Sequence, residues 1–416
     1  MALRPDAATA QTLARWSERS AGKGFCREGG HVVFSDLLDV HVHFRVPGAE
    51  HKEDWRTGSA AAVAGGITGV LEMPNTNPPV TDQSVLDAKI AVAKKDSLCN
   101  YGFFAGASPL NLSQLGSMSP IRGIKLYVGS STGTLLVDRA SDIENVFRIA
   151  KKRNLVACVH AEEEALIRSN TVLAEKNGWN HVRFHSKIRS VQAEENAIAQ
   201  CLELQQRIGN RLHVCHLTSA AGLELIREAK ADGNASVSCE VTPNHLFLSE
   251  DDADRLGNFM KINPSIKSKS DQAALWKGIR DRVVDVVATD HAPHTVLEKR
   301  QEYAQAPSGI PGVQTMIPLL LWAVSREKLS LADIVRLCSK NPRHLFGLKE
   351  KQGCFSVVDR SESVEIKNES QFSKCGWSVF DGLKIHGTVQ ETYVNGYKVF
   401  DHTGVSEENR GIGVLL

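Results

Sequence analysis

Short apolar segments alternate with longer segments of helical periodicity along most of the chain. The apolar segments are rich in β-branched residues and nearly free of polar positions, which is typical of strands buried on both faces of a parallel sheet. Eight such strands are predicted, at 34–43, 69–73, 101–104, 123–128, 155–160, 212–216, 235–240 and 283–290. Helices are predicted between them at 53–64, 82–95, 141–153, 193–208, 219–231 and 270–282.

This alternation favours the α/β class and a (β/α)8 TIM-type barrel, which we expect to occupy 37–345. A doubly wound open sheet is disfavoured because no GxGxxG turn follows the first predicted strand. The stretch 162–189 is too long for a simple connection and predicts a helical insertion on the catalytic face.

After residue 346 the pattern changes to short strand-like pieces, with Asn395-Gly396 as a hairpin turn. The segment 346–416 therefore predicts a small β-rich appendage. The N-terminal extension, 1–36, is predicted to contain one helix and a glycine-rich stretch. We accordingly expect an appendage that is incomplete or that a second subunit completes.

Charge and composition narrow the classes of partner. The 416 residues contain 49 Lys and Arg against 48 Asp and Glu, which argues against nucleic acid or an anionic membrane as the main partner. No apolar run approaches the ~18 residues that span a bilayer. Residues 1–20 lack the apolar core of a secretory signal. Their mixture of Arg4, Arg15 and Arg19 with Asp6 and Glu18 leaves a transit peptide open but weakly supported.

The 9 cysteines include no CxxC pair, so neither a zinc ribbon nor a disulfide framework is indicated. Several lie inside apolar runs, where a free thiol behaves as a small apolar group. A reducing compartment, and hence a cytoplasmic protein, is the simplest expectation.

Potential metal ligands occur at the ends of the predicted strands. In a barrel these ends share one mouth, and two histidines at i and i+2 on a strand point the same way. Each histidine alone is as well explained by a structural role, but the coincidence at several strand ends favours a metal site. The set comprises His41, His43, Lys125, His160, His216 and Asp290.

Lys125 is the unusual member, because an ammonium inside an apolar strand is costly to bury. One interpretation is a lysine that reaches solvent or forms a salt bridge. The other is an amine of lowered pKa that is modified by CO2, which would give a carbamate able to bridge two cations. The residues alone leave both open.

Six stretches resemble, in the same order, the dihydroorotase family of the amidohydrolase superfamily. The likeness runs from about 37 to 398, and the strand that contains Lys125 resembles the subtype with a carboxylated lysine. The stretches are 39–48 (DVHVHFRVPG), 73–77 (MPNTN), 123–127 (GIKLY), 158–162 (CVHAE), 213–217 (HVCHL) and 288–295 (ATDHAPHT).

The resemblance implies two divalent cations, expected to be Zn2+. One would be held by His41, His43, carboxylated Lys125 and Asp290, and the other by Lys125, His160 and His216. The implied reaction is the reversible cyclisation of N-carbamoyl-L-aspartate to L-dihydroorotate and water, a step of pyrimidine biosynthesis. A metal-bridging hydroxide would attack the ring amide, with Asp290 as general acid and base.

Arg45 lies two residues beyond His43 on the same strand face, and its planar fork suits a substrate carboxylate. A surface salt bridge is the alternative. The resemblance adds further substrate contacts, although a turn or capping role would also explain some of them. These residues are Asn75, Asn263, His294, Ser308 and Gly309.

Two further features of the sequence concern the predicted substrate site: a difference from the family at one position and a loop. Asn263 stands where some members of the family carry Arg. The loop 129–133 resembles a mobile active-site loop, with Ser131 and Thr132 as the expected contacts. A tight polar turn is an equally good interpretation of that loop.

Two other functions stay open. Another cyclic amidohydrolase, of the hydantoinase or allantoinase kind, would share the metal ligands, but Arg45, Asn75 and His294 favour a ring that carries a carboxylate. An inactive homologue that serves as a scaffold for aspartate transcarbamoylase would be expected to have lost ligands, and none is lost. For the enzyme we expect a small-molecule substrate, a homodimer and association with aspartate transcarbamoylase.

Overall fold

The computed structural model describes residues 6–409 and 411–416, so the first five residues of the N-terminal extension, Arg4 included, lie outside the described residues. The strands are β1 (Phe25–Glu28), β2 (His31–Ser35), β3 (Leu38–Val42), β4 (Gly69–Glu72), β5 (Asn100–Gly106), β6 (Gly123–Tyr127), β7 (Val156–His160), β8 (Arg211–Val214), β9 (Val237–Val241), β10 (Val286–Val287), β11 (Phe355–Glu365), β12 (Lys384–Val394), β13 (Tyr397–Asp401) and β14 (Gly404–Val405).

The α-helices are α1 (Ala7–Ser20), α2 (Trp55–Ala64), α3 (Gln83–Asp96), α4 (Leu112–Leu115), α5 (Ala140–Lys152), α6 (Glu164–Asn177), α7 (His185–Ile188), α8 (Val191–Ile208), α9 (Ala220–Ala231), α10 (Pro243–Phe247), α11 (Ala253–Leu256), α12 (Lys269–Arg280), α13 (Val296–Lys299), α14 (Met316–Ser325), α15 (Leu331–Val335) and α16 (Asn341–Phe346). Within the described residues, none of these helices has the length and apolar character that crossing a membrane requires.

Strands β3 to β10 form one parallel sheet in which each strand pairs with the next along the chain. A parallel bridge between Val42 and His291 joins the two ends of the sheet, and the His43 amide donates to the His291 carbonyl at 2.8 Å. The sheet therefore closes into the predicted barrel. All eight predicted barrel strands and the six predicted helices are confirmed, as is the helical insertion, which contains α6 and α7.

Side-chain caps explain where five of the barrel helices begin. The first amides of an α-helix have no partner within the helix, and a short Asp or Ser side chain satisfies one of them. These N-caps precede α2, α3, α8, α9 and α12, and they are Asp54, Asp82, Ser190, Ser219 and Ser268.

The appendage is a six-stranded sheet in the order β1-β2-β11-β12-β13-β14. The prediction of an incomplete appendage is wrong, because β2 pairs antiparallel with β11 and places Ser35 opposite Phe355. Gly29 and Gly30, with φ of 53° and 91°, form the tight turn between β1 and β2. This hairpin was predicted only as a glycine-rich stretch, because its strands have just four and five residues.

Two further features fix this sheet. Trp16 of α1 packs edge-on against Phe355 and Tyr393, with ring centroids 5.8 and 5.6 Å apart. The predicted Asn395-Gly396 turn joins β12 to β13. The N-terminal and C-terminal segments thus build one sheet within the chain, while the domain boundaries at 36/37 and 345/346 stay a prediction.

Candidate metal and active site

The six expected metal ligands converge at one end of the barrel. His41 lies in β3 with His43 one residue beyond it, and Lys125 lies in β6. His160 is the last residue of β7. The other two follow β8 and β10 directly, and they are His216 and Asp290. The convergence follows from topology, since the carboxyl ends of parallel barrel strands face one mouth.

The ring nitrogens and the carboxylate approach each other in two groups. Asp290 Oδ1 lies 2.9 Å from His43 Nε2 and 3.3 Å from His41 Nε2. On the other side, His160 Nδ1 lies 3.1 Å from His216 Nε2. Ligands that share a tetrahedral zinc ion, with bonds of 2.0–2.1 Å, are about 3.3 Å apart. Each group therefore has the spacing of atoms that hold one cation.

Lys125 lines the same cavity as these groups and is fully buried. Within the described residues its Nζ has no oxygen or nitrogen hydrogen-bond partner, although the Cys215 thiol, a weak acceptor, is a neighbour. Burial lowers the pKa of this amine, but Cys215, Tyr127 and Glu240 raise it above its ordinary value, contrary to the lowered pKa considered from the sequence. A buried ammonium without a good partner is costly, and a carboxylate on this nitrogen would replace its positive charge with a negative one that cations could neutralise.

Charges in the site prepare His43 and Asp290 to bind a cation, whereas His41 holds a proton that a cation would displace. Burial lowers the pKa of His43 to about 3, so its ring is neutral, as a metal ligand must be. Burial and Lys125 lower the pKa of His41, but Glu240 and Asp290 raise it to about 10. Burial raises the pKa of Asp290, yet His41, His43 and Lys125 hold it below its usual range. Asp290 is therefore ionised.

Three neighbours that sequence reasoning did not assign to this purpose orient the ligand histidines. The Glu240 carboxylate contacts His41 Nδ1, and Asn75 Oδ1 lies 2.7 Å from His43 Nδ1. Glu162 Oε2 lies 2.9 Å from His160 Nε2. Each contact places a side-chain oxygen at one ring nitrogen, so that the other ring nitrogen faces Asp290 or His216. His41, Cys215 and Glu240 themselves offer ligand atoms within 4.8 Å of one another.

A sequence signal for Glu240 existed, because it ends the predicted strand 235–240 as the other ligands end theirs. Glu162 belongs to the motif 158–162, in which His160 alone is an expected ligand. Asn75 was expected to contact substrate or to have a structural role in a turn. Its Nδ2 also donates to the Thr132 carbonyl at 2.9 Å, so it links a ligand histidine to the loop 129–133.

Most of the predicted substrate residues line one cavity beside the expected ligands. They are Arg45, Asn75, Asn263, Ser308 and Gly309, together with Ser131 and Thr132 of the loop. His294 is the exception and lies behind Arg45, with its Nε2 3.2 Å from Arg45 Nη2. Gly309 is required there, because at φ 152° a Cβ would lie 2.8 Å from the His294 ring.

Arg45 is only 6% exposed, and its Nε donates to the Pro293 carbonyl at 3.1 Å. No carboxylate within the described residues forms an ion pair with it. Since buried charges are normally paired, the guanidinium is poised for an anion that enters the cavity.

Backbone strain is concentrated at the same place. Arg45, His216 and Asp290 adopt positive φ values of 65°, 36° and 49°. Residues other than glycine rarely adopt such values, and they persist where the surrounding structure enforces them. The strained positions thus aim one cationic and two ligating side chains into the same cavity.

Comparison with known proteins agrees with this site. The chain matches the amidohydrolase family over residues 33–396 and belongs to that family. It is 37% identical to a dihydroorotase of Methanosarcina mazei, over 85% of this chain and 80% of that protein. A dihydroorotase of Halobacterium salinarum is 35% identical, over 90% and 87%. Within the amidohydrolases, the chain is therefore a member of the dihydroorotase family.

Two other similar proteins bear on the partners expected for this chain and on its alternative function. The multifunctional protein CAD of Squalus acanthias is 36% identical over 86% of this chain, which matches 14% of that larger protein. A solved L-hydantoinase (dihydropyrimidinase) from Arthrobacter aurescens superposes with a TM-score of 0.89 at 27% identity, covering 93% of this chain and 89% of its own. The fold is thus shared by enzymes that act on different rings.

Proposed function

We propose that this protein interconverts N-carbamoyl-L-aspartate and L-dihydroorotate, as a cyclic amide hydrolase of pyrimidine biosynthesis. The observation that carries the substrate assignment is the buried, unpaired Arg45 guanidinium beside the ligand cluster. Dihydroorotate carries a carboxylate outside the reacting amide, whereas hydantoin carries none. The dihydroorotase relatives support the same choice.

The ligand groups support two divalent cations, and we propose Zn2+ for both, with a CO2-derived carboxylate on Lys125 bridging them. His41, His43 and Asp290 would hold one cation, His160 and His216 the other. When bound, the cations would polarise the amide carbonyl and lower the pKa of a water molecule.

Asp290 is the proposed acid and base. Its carboxylate is ionised and half-buried at the cavity, so it can accept the proton of the attacking water and deliver it to the ring nitrogen that leaves. In the direction of ring closure it removes a proton from the carbamoyl nitrogen and returns it to the departing oxygen. The neutral His43 beside it stays a ligand and does not compete for this proton.

The remaining residues would bind and enclose the substrate. Arg45 would receive its carboxylate together with Asn75 and His294, while Asn263, Ser308 and Gly309 would face the ring. The loop residues Ser131 and Thr132 would cover the cavity. Support comes from the Thr132 hydroxyl, which donates to the Ser308 carbonyl at 3.3 Å and so links the loop to the opposite wall.

The decisive experiment compares ring substrates on one zinc-loaded preparation. We expect kcat/KM for dihydroorotate to exceed that for hydantoin and allantoin at least a hundredfold. Faster turnover of hydantoin or allantoin would reassign the enzyme. No turnover in a sample with two zinc ions per chain and a carboxylated lysine would favour a scaffold role instead.

We also propose that the chain works in the cytoplasm as a homodimer that associates with aspartate transcarbamoylase. The multifunctional relative supports such an association, since a similar region there is part of a larger polypeptide. Light scattering of the purified chain, alone and mixed with aspartate transcarbamoylase, tests the homodimer and the association. A monomer that forms no complex would contradict them.

A further inference from the structure

The two ring nitrogens of His294 face different kinds of partner. Nδ1 lies 3.0 Å from Lys52 Nζ, whereas Nε2 lies 3.1 Å from the Ser308 carbonyl and 3.2 Å from Arg45 Nη2. An ammonium can only donate, so Nδ1 must accept, and the proton of the neutral ring must then be on Nε2. The Lys52 ammonium at Nδ1 and the Ser308 carbonyl at Nε2 thus favour the same tautomer of His294.

Lys52 is itself held in place. Its Nζ lies 2.8 Å from Glu298 Oε1, and Glu298 Oε2 accepts the Thr295 amide at 2.9 Å as part of the α13 capping box. The ring of His294 stays neutral, because burial and the cations of Arg45, Lys52 and Lys299 lower its pKa well below the usual value. Glu298 is thus the acidic member of a cluster otherwise made of cations around the ring.

The selected tautomer leaves two donors side by side. With the proton on Nε2, neither His294 nor Arg45 Nη2 can accept from the other across 3.2 Å. One oxygen of a carboxylate could accept from both, if the Nε2 proton is shared with the Ser308 carbonyl or turns from it to the carboxylate. In the other tautomer Nε2 would accept from Arg45, and the two donors would become a closed internal hydrogen bond. The ring nitrogen that carries the His294 proton therefore decides whether His294 and Arg45 can bind an anion together.

We propose that Lys52 is a positioning residue for substrate binding, which holds His294 as an Nε2 donor so that His294 and Arg45 together grip the substrate carboxylate. This inference rests on the proposed function for the identity of the substrate. Lys52 itself need not touch the substrate.

Steady-state kinetics of Lys52→Met provides the first test. We expect KM for dihydroorotate to rise about tenfold, the loss typical of one charge-assisted hydrogen bond, while kcat changes less than about twofold. Lys52→Arg keeps a donor and should restore most of the affinity. The matched control is Lys374→Met, since Lys374 pairs with Asp54 away from the cavity. An unchanged KM in Lys52→Met would overturn the proposal.

The second test does not depend on catalysis. In protein labelled with 15N-histidine, the His294 signals, assigned by their absence in His294→Asn, should show Nε2 protonated in the wild type. Lys52→Met should add the Nδ1 form. A wild-type ring protonated on Nδ1 would overturn the proposal. If the tautomer depends on Lys52 but dihydroorotate is not turned over, the positioning role stands and the proposed function fails.

A variant that keeps Lys52 covers the case in which Lys52→Met does not fold. Glu298→Gln weakens the ion pair that holds the Lys52 ammonium but keeps the ammonium itself. We expect about a threefold rise in KM and a partial change of the His294 tautomer. A KM and a tautomer that both equal those of the wild type would count against the role of the Glu298 and Lys52 pair.

Discussion

Replacing Glu240 with glutamine removes the buried negative charge that holds two histidines at the floor of the site. The carboxylate contacts His41 Nδ1, lies 3.0 Å from His213 Nε2 and accepts the His216 amide at 3.3 Å. His41 and His213 also hold the Glu240 pKa well below its usual value, although burial raises it. The wild-type chain therefore holds His41 through Nδ1, with Nε2 on the side of Asp290.

The size of the effect follows from these contacts. A hydrogen bond to a charged group contributes about 1.5–3 kcal/mol and a neutral one about 0.5–1.5 kcal/mol, so Glu240→Gln weakens the hold on His41 by about 1–2 kcal/mol. Loss of a partner that orients a ligand histidine typically costs 10–100-fold in metal affinity. We expect the zinc Kd of the His41 site to rise by about that factor, with a proportional loss of activity at limiting zinc.

Competition with a fluorescent chelator measures this Kd, and elemental analysis counts the zinc that stays bound after gel filtration. Glu194→Gln is the matched control, because Glu194 is also buried and accepts from Thr218 but has no hydrogen bond to an expected ligand among the described residues. If Glu240→Gln binds zinc within twofold of the wild type, or if Glu194→Gln loses as much affinity, the orienting role of Glu240 is refuted.

Three shorter predictions address the rest of the site. Lys125→Ala should lower kcat at least a thousandfold and regain part of it in millimolar acetate or propionate; turnover like that of the wild type would exclude a bridging lysine. Arg45→Ala should raise KM for dihydroorotate by the factor that corresponds to about 1.5–3 kcal/mol of lost binding free energy, with a smaller effect on kcat. A spectrophotometric ring-opening assay measures both constants. Burial, with Arg189 and Lys261, lowers the pKa of His185 from 6.5 to about 3, so below about pH 6.5 the unfolded chain binds a proton that the folded chain does not. As the pH falls below about 6.5, the free energy of unfolding should therefore decrease by up to about 1.4 kcal/mol per pH unit. Urea unfolding at pH 7 and 5 measures this decrease, which should be smaller for His185→Gln than for the wild type.

The convergence of His41, His160 and Asp290 could be predicted from the sequence because it depends only on topology. Parallel strands that alternate with helices put their carboxyl ends on one face, so a ligand at a strand end reaches the mouth wherever it lies in the chain. The barrel itself was predictable for the same reason, since its strands are continuous apolar runs bounded by glycines and helix caps.

The partners of these residues could not be predicted in this way. His294 lies behind Arg45 and against Ser308 and Gly309 of the cavity wall, because the loop after β10 carries it toward Lys52. Loop paths leave little periodic signal. The hairpin of β1 and β2 was missed because strands of four and five residues give too few positions to show alternation. Its pairing with β11 joins residues distant in the chain, which no local pattern reports.

The pairing of β2 with β11 sets an order for folding during synthesis. Ser35 leaves the ribosome long before its partner Phe355, and at ordinary translation rates the interval is on the order of tens of seconds. Throughout that time one edge of β2 offers free amides and carbonyls to any neighbouring chain. Protection of that nascent edge, by α1 or by a chaperone, is consequently a requirement that this architecture places on the cell.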